Sequence, residues 1–111
     1  MSEKQVQKSI KTRCYYSDYV NHMIRFYLST PDTLQMEGKR KADIDNWIAV
    51  QYVWHKLSAD EKGVLEDIYK AHFRLAEGVR IHCEKYKCDP LVTWKLITKV
   101  QAIVAKRRGL V

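Results

Sequence analysis

Signals that start and stop helices are concentrated between Leu57 and Gly109, and they constrain the fold more than any other feature of the sequence. Ser58 can accept a hydrogen bond from the amide of Glu61, and the Glu61 carboxylate can bond to the Ser58 amide in return. Apolar residues follow at helical spacing. They are Val64, Leu65, Ile68 and Tyr69. This pattern predicts a helix that begins at Ser58.

Two further helices are predicted on either side of a short link that ends at Pro90. Pro90 disfavours helical geometry at the residue before it but suits the first turn of a new helix, which Asp89 can cap. Gly109 can close that helix after three basic residues that suit the negative end of the helix dipole. The expected inward residues are Leu75, Val79, Cys83 and Tyr86 in the first of these helices, and Thr93 or Val92, Leu96, Ile97, Val100, Ile103 and Val104 in the second.

The last two helices have the arrangement of a helix–turn–helix, because a short turn joins them and the second is long and basic. Cys83 supplies a small residue where the helices cross, and Tyr86 and Cys88 take the apolar positions that follow. Lys87 replaces the glycine usual in such a turn, so a left-handed conformation there is expected to be mildly strained. We therefore predict an all-α fold, a small helical domain of about five helices that ends in a helix–turn–helix.

The N-terminal half is predicted to contain two more helices. The first covers residues 15–28 and carries an apolar stripe, and the polar residues before it form a frayed tail or extend the helix. A polar connector over residues 35–41 leads to the second helix, which starts near Lys41 or Ala42 and carries apolar residues from Ala42 to Trp54. Because its apolar residues surround the helix axis, we expect this second helix to be the central one of the fold.

The net charge of +7 is confined to the C-terminal part of the chain. Residues 1–69 hold ten Lys and Arg against ten Asp and Glu, whereas residues 70–111 hold ten against three. Excess positive charge on a helix–turn–helix is the electrostatic signature expected of nucleic-acid binding. The plainer alternative is a solvated basic face that only aids solubility.

A chain of 111 residues can bury one modest core. Residues 1–56, as a supporting or oligomerising part, and residues 57–111, as the helix–turn–helix part, are therefore expected to form one compact domain. The sequence has no long apolar run and no signal peptide, so we expect no membrane span. Three cysteines without a framework spacing favour a reducing, cytoplasmic setting.

Residues that could carry catalysis or bind metal are sparse. His72, His82, Cys83 and Cys88 are potential zinc ligands, but their spacing contains no second matching pair. Solvated faces explain the acidic pairs in the helices more simply than catalysis does. The sequence has no glycine-rich phosphate loop, nucleophile elbow or Cys/His dyad. We therefore expect no enzyme activity, no bound metal and no cofactor.

Two stretches resemble parts of known DNA-binding proteins. The first stretch comes before the helix–turn–helix and consists of Leu57-Ser58-Ala59-Asp60-Glu61-Lys62 and Val64-Leu65. The second comes after it and is Val104-Ala105-Lys106-Arg107-Arg108-Gly109-Leu110. Together they look like the region-4 helix–turn–helix of sigma factors. More closely, they resemble small phage and prophage transcriptional regulators of the RinA/ArpU type. The resemblance covers about the last half of the chain and implies control of phage late or packaging genes through promoter DNA.

The helix from Pro90 is expected to enter the major groove of double-stranded DNA. The candidate base contacts are Leu91, Val92, Trp94, Lys95 and Thr98, with a core position as the alternative for Trp94. The candidate phosphate contacts are Lys85, Lys87, Lys99, Lys106, Arg107 and Arg108. RNA polymerase and a second copy of the chain are further candidate partners of such a sequence-specific regulator.

Two other functions fit the same sequence. A phage adaptor or inhibitor would dock its basic half on a host protein complex, with exposed aromatic residues between Tyr15 and Trp54 supplying contacts. A small terminase-type subunit for DNA packaging also joins a helix–turn–helix to helical assembly elements. Protein binding without nucleic acid distinguishes the first alternative, and a ring of many copies distinguishes the second.

Overall fold

The computed structural model describes residues 2–30, 39–71 and 74–111, with their side chains from residue 16 onward. These residues form five α-helices and no strand, which confirms the predicted all-α class. The helices are α1 (Ser2–Ser29), α2 (Lys41–Trp54), α3 (Ala59–Ala71), α4 (Leu75–Tyr86) and α5 (Pro90–Arg108). Among the described helices, none is both long and apolar enough to cross a lipid bilayer.

The predicted helix boundaries agree most closely with the structure in the C-terminal half. α3 begins directly after Ser58, and α5 begins at Pro90 as expected. α1 differs, because it begins at Ser2 and the polar N-terminal residues therefore continue the helix. α2 begins at Lys41, and the connector predicted at residues 35–41 lies mostly outside the described residues.

Short-range hydrogen bonds define the starts of α3 and α5. The Ser58 amide donates to Glu61 Oε1 (2.9 Å) and the Glu61 amide donates to Ser58 Oγ (3.1 Å), so the predicted capping box is present. The Leu91 amide donates to Asp89 Oδ1 (3.0 Å), and this bond caps α5 just before Pro90 enters its first turn. All these bonds join residues close in sequence, which is why the sequence alone predicts them.

Two residues in the left-handed conformation end α4 and α5. Lys87 (φ 53°, ψ 45°) follows α4, and Gly109 (φ 80°, ψ 25°) follows α5. In both places the next amide donates to the carbonyl oxygen five residues back, at 3.0 Å after Lys87 and 2.9 Å after Gly109. Because glycine has no Cβ to crowd this conformation, Lys87 is the strained member of the pair, as expected.

α5 is the central helix of the fold, so the prediction of a central second helix was wrong. α5 contacts each of the other four described helices, whereas α2 packs mainly on α1 and α5. Ile97, Val100 and Val104 of α5 are almost completely inaccessible to solvent. Ile48 and Tyr52 of α2 are exposed, so one side of α2 is only partly covered by the described helices. The core is therefore built around α5.

A buried hydrogen-bond network links α1, α3 and α5 inside this core. Asn21 Oδ1 accepts hydrogen bonds from the Tyr69 hydroxyl (2.7 Å) and from Gln101 Nε2 (2.8 Å). Burial raises the pKa of Tyr69 well above its usual value, so the phenol keeps the proton that it donates. Because buried polar groups without partners are costly, these three side chains favour one packing of α5 on α1 and α3.

Two apolar positions near the end of α4 differ from the prediction. Tyr86 and Cys88, predicted to face inward, are exposed, and 53 % of the Tyr86 surface is accessible. His82 takes the inward position instead, because its ring nitrogen bonds to Asp67 of α3. The left-handed residue Lys87 then turns the chain before Cys88.

Two positions in α5 differ in the same way. Ile103 was predicted to face inward but is 36 % exposed, and of the pair Thr93 or Val92 it is Thr93 that is buried. Gln101 is buried close by through its bond to Asn21, which turns a polar residue inward and leaves Ile103 on the outer side. The inward side of α5 is therefore partly polar.

Candidate nucleic-acid interface

The link between α4 and α5 holds the start of α5 against α4. The Thr93 hydroxyl donates to the Asp89 carbonyl oxygen (3.2 Å) and lies 3.4 Å from the Cys83 sulfur. Cys83 and Thr93 are both buried, so small side chains occupy this contact, as predicted for Cys83. The first turn of α5 therefore projects from a packed base.

α5 has one exposed side along its whole length, which we call the basic face. Its members are Leu91, Val92, Lys95, Thr98, Lys99, Ala102, Ile103 and Lys106. They recur at intervals of three and four residues, so they share one side of the helix. The face is about 22 Å long, given the rise of an α-helix. The helix predicted to enter DNA is thus accessible along one side although it is central to the core.

The positive charge of the basic face is unopposed within α5, which contains no Asp or Glu. Lys95, Lys99 and Lys106 form no salt bridge with any described residue. The pKa of Glu61 in α3 is lowered, mainly by the hydrogen bond from the Ser58 amide and to a smaller extent by the charge of Lys99. One carboxylate therefore lies beside the middle of the face.

The first turn of α5 exposes two large apolar side chains. Leu91 is 69 % exposed and Val92 is 64 % exposed. Trp94 differs from them, since it is half-buried and packs against the core. Of the predicted base contacts, Leu91, Val92, Lys95 and Thr98 are therefore accessible, whereas Trp94 contributes largely to packing.

Lys85 and Lys87 lie on the α4 side of the link. Both are exposed, and Lys85 Nζ lies 5.1 Å from the centroid of the Tyr86 ring. Neither forms a salt bridge with a described residue, whereas Arg80 on the same helix pairs with Glu84 (3.1 Å). Two of the predicted phosphate contacts thus accompany the exposed start of α5.

The basic residues at the C-terminal end of α5 are divided between solvent and α2. The Arg107 guanidinium lies 3.7 Å from the centroid of the Tyr52 ring. Arg108 Nε donates to Oδ1 of the buried residue Asn46 (2.6 Å). Lys106 alone of the three is exposed without such a partner among the described residues. The sequence predicts all three as phosphate contacts, but two of them help to pack α5 on α2.

Tyr52 belongs to a small cluster of cations and an aromatic ring that the sequence reasoning did not identify. Lys56 Nζ donates to the Tyr52 hydroxyl (2.8 Å) and lies 4.4 Å from the ring centroid. The pKa of Tyr52 is lowered, mainly by this hydrogen bond and further by the charges of Lys56 and Arg107. The spacing of four residues between Tyr52 near the end of α2 and Lys56 just after it was the available signal.

An open groove of about 430 Å³ lies between α3 and α4. His82 at its base places Nδ1 2.6 Å from Asp67 Oδ2, and its ring centroid lies 4.8 Å from that of Tyr86. The described residues contain no group of three or more potential metal ligands, and His72 lies outside the described residues. The His82–Asp67 bond therefore serves to join α3 to α4.

No protein-family model, curated protein or solved structure matches this chain. What the chain binds must therefore be inferred from the charge, exposure and geometry of its own residues.

Proposed function

We propose that the chain is a sequence-specific DNA-binding transcriptional regulator, of phage or prophage genes as the sequence resemblance implies. α4, the link and α5 serve as a helix–turn–helix, and α5 enters the major groove of double-stranded DNA with its basic face. The basic face is the observation that carries the proposal. Folding does not account for its lysines, which are exposed and form no salt bridge with described residues.

Phosphate contacts supply most of the affinity in this proposal. The side chains best placed for them by exposure are Lys85, Lys87, Lys99 and Lys106. Each neutralised phosphate releases condensed counterions, so affinity falls as the salt concentration rises. Arg107 and Arg108 contribute only after leaving Tyr52 and Asn46, which makes them the weaker members of the predicted set.

Reversal of two charges on the basic face tests the proposal. In the variant Lys95→Glu/Lys99→Glu we expect DNA affinity to fall at least about tenfold, because the base contact of Lys95 and the phosphate contact of Lys99 are both lost. The slope of log Kd against log salt should become shallower by about one, since one phosphate contact is removed. Binding is measured by fluorescence anisotropy with duplexes recovered by random-site selection, and circular dichroism checks that the variant is folded.

The matched control is Lys39→Glu/Lys41→Glu, which makes the same change in net charge at two exposed residues, one just before α2 and one at its start. We expect this control to lose much less affinity and to keep the salt slope, because its residues lie outside α4 and α5. Equal losses in the two variants would indicate only a general effect of net charge. Unchanged DNA affinity in Lys95→Glu/Lys99→Glu, or an affinity that does not vary with salt concentration, would show that the basic face does not bind DNA.

The exposed Leu91 and Val92 also favour a second candidate function, that of an adaptor docking on a host protein complex. The aromatic surface expected to assist it is small, because Tyr19 and Tyr52 are the only exposed aromatic residues among the described residues 16–54. Co-purification with a host protein after nuclease treatment, lost in Leu91→Ser/Val92→Ser, would support the adaptor over the regulator.

Assembly state distinguishes the remaining proposals. A regulator that binds a palindromic site is expected to form a homodimer on DNA, whereas a small terminase-type packaging subunit is expected to form a ring of many copies. Mass measurement with and without the selected duplex separates these outcomes. Binding of RNA polymerase by the regulator is tested in the same mixtures, as a shift of the DNA complex to higher mass.

A further inference from the structure

The first turns of the basic face contain few groups that can recognise bases by hydrogen bonds. Asn or Gln reads adenine and Asp or Glu reads cytosine in the major groove. α5 exposes none of these four residue types, because it has no Asn, Asp or Glu and its single glutamine, Gln101, is buried. Gln101 donates to Asn21 and so serves the core. Lys95 and Thr98 are the remaining hydrogen-bonding groups near the start of the helix.

Leu91 and Val92 are the two side chains that this face presents first, and they are apolar. Their exposed fractions of 69 % and 64 % show that folding leaves most of their apolar surface in water. The turn that carries them is well defined, since the Leu91 amide bonds to Asp89 Oδ1 (3.0 Å) and Pro90 restricts the backbone before it. They therefore form a positioned apolar pair and not a flexible end.

The charge around this pair indicates what covers it. Lys95 lies one helical turn beyond Leu91 on the same side and forms no salt bridge with a described residue. The carboxylate next to the pair is that of Asp89, which accepts a hydrogen bond from the Leu91 amide. Lys99 continues the row one turn further. An apolar pair followed by regularly spaced cations complements the major groove, whose walls are phosphates and whose floor carries the methyl groups of thymine.

We infer that Leu91 and Val92 recognise thymine by contact with its C5-methyl group, and that the DNA site of this protein contains thymine at the positions that these two residues reach. The inference rests on the proposed DNA binding and adds to it the chemical class of base that is read. The contact removes the methyl group and the aliphatic side chain from water together. It uses no hydrogen bond, which fits a helix that exposes so few hydrogen-bonding groups.

Replacement of thymidine by deoxyuridine tests this inference, because their bases, thymine and uracil, differ only by the C5-methyl group. The probe is the duplex recovered by random-site selection, with each thymine replaced in turn. We expect affinity to fall about fourfold at each contacted position, the loss that corresponds to one buried methyl-sized group. All other thymine positions should tolerate the replacement.

Variants of the apolar pair assign the contacts. In Leu91→Ala we expect the difference between thymine and uracil to disappear at one contacted position, and in Val92→Ala at another. The matched control is Ile103→Ala, which removes an apolar side chain from the far end of the same face and should keep both differences. All three residues are exposed, so these variants are expected to remain folded, which thermal melting checks.

The possible outcomes separate the inference from the proposed function. Binding to no duplex at all overturns both. Tight, salt-sensitive binding that tolerates uracil at every position, or selection of a site without thymine, overturns the inference and leaves DNA binding in place. Thymine-dependent binding that persists unchanged in Leu91→Ala and in Val92→Ala also overturns it, since other residues would then read the methyl groups.

Discussion

The two ends of α5 use similar residues in opposite ways. At the C-terminal end, Arg107 stacks on Tyr52 and Arg108 bonds to the buried residue Asn46, so both arginines contact α2. At the N-terminal end, Lys95 is exposed and forms no salt bridge with a described residue. One helix therefore carries basic residues that support the fold and others that the fold leaves free.

This difference shows that a cluster of basic residues in a sequence is not by itself evidence of a binding surface. Residues 106–108 are three consecutive basic residues, yet two of the three have partners within the protein. The more widely spaced lysines of the basic face are more accessible because no described helix packs on their side of α5. Exposure, which depends on distant helices, decides which basic residues remain for a ligand.

The largest expected effect is on stability, and it compares a buried residue with an exposed residue in the N-terminal half of α5. Ile97→Ala should lower the free energy of unfolding by about 2–5 kcal/mol, because the side chain is buried and its removal leaves a cavity. Leu91→Ala should change it by less than about 0.5 kcal/mol, since the side chain is exposed. Urea unfolding followed by circular dichroism measures both. Similar losses of unfolding free energy in the two variants would contradict the comparison, because they would show that Leu91 at the start of α5 is packed.

The next effect tests whether the C-terminal end is structural. Arg108→Ala should destabilise the protein by about 1–2 kcal/mol, because the buried Asn46 loses a charge-assisted hydrogen bond. Lys106→Ala is the matched control and should change stability by less than about 0.5 kcal/mol. Arg108→Lys should not restore the loss, because lysine lacks the guanidinium Nε that makes the bond. Equal stability of Arg108→Ala and Lys106→Ala would show that the bond from Arg108 to Asn46 does not stabilise the fold.

A smaller effect concerns the start of α3, where Glu61 lies close enough to be influenced by Lys99. Ser58→Ala should lower the free energy of unfolding by about 1 kcal/mol at pH 7, because it removes the cap. The pKa of Glu61 is lowered in the folded protein, so its contribution is complete above its unfolded pKa and is lost as pH falls through its folded pKa.

The measurement for this prediction is urea unfolding of the wild type and Ser58→Ala over a pH series. The difference between the two proteins should shrink as the solution becomes acidic, because the Ser58 side chain helps to lower the pKa of Glu61 and only the wild type loses that contribution when Glu61 is protonated. A difference that grows on acidification has the wrong sign for a capping box. A matched variant, Asp60→Asn, alters an exposed carboxylate of the same turn outside these two bonds.

The smallest effects compare the left-handed residues before and after α5. Lys87→Gly should stabilise the protein by about 0.5–1 kcal/mol, because glycine adopts a positive φ without strain. Gly109→Ala should destabilise it by about 1 kcal/mol through backbone strain alone, since an added Cβ meets nothing within 4 Å. Thermal melting measures both shifts. Stabilisation by Lys87→Gly together with weaker DNA binding would show that strain is retained here to keep a cation.

Much of the local structure could be predicted because the interactions that define it lie close together in the chain. The capping box at Ser58, the cap at Asp89 and the left-handed residue at Lys87 each involve residues within a single turn. The accessible part of the predicted site, Lys95 and Thr98 included, also follows from helical spacing once the start of α5 is known. Position along one helix predicts which residues share a side.

The sequence by itself determined where α3 and α5 begin and where α4 and α5 end, because capping bonds and backbone preferences act over a few residues. Only the tertiary structure decided that α5 is central, that Arg108 bonds to Asn46, and that Tyr86 is exposed while His82 is buried. These outcomes depend on contacts between residues far apart in the chain, such as the bond from Gln101 to Asn21. Helical periodicity indicates which residues lie together on one side, but packing against distant helices decides which side is buried.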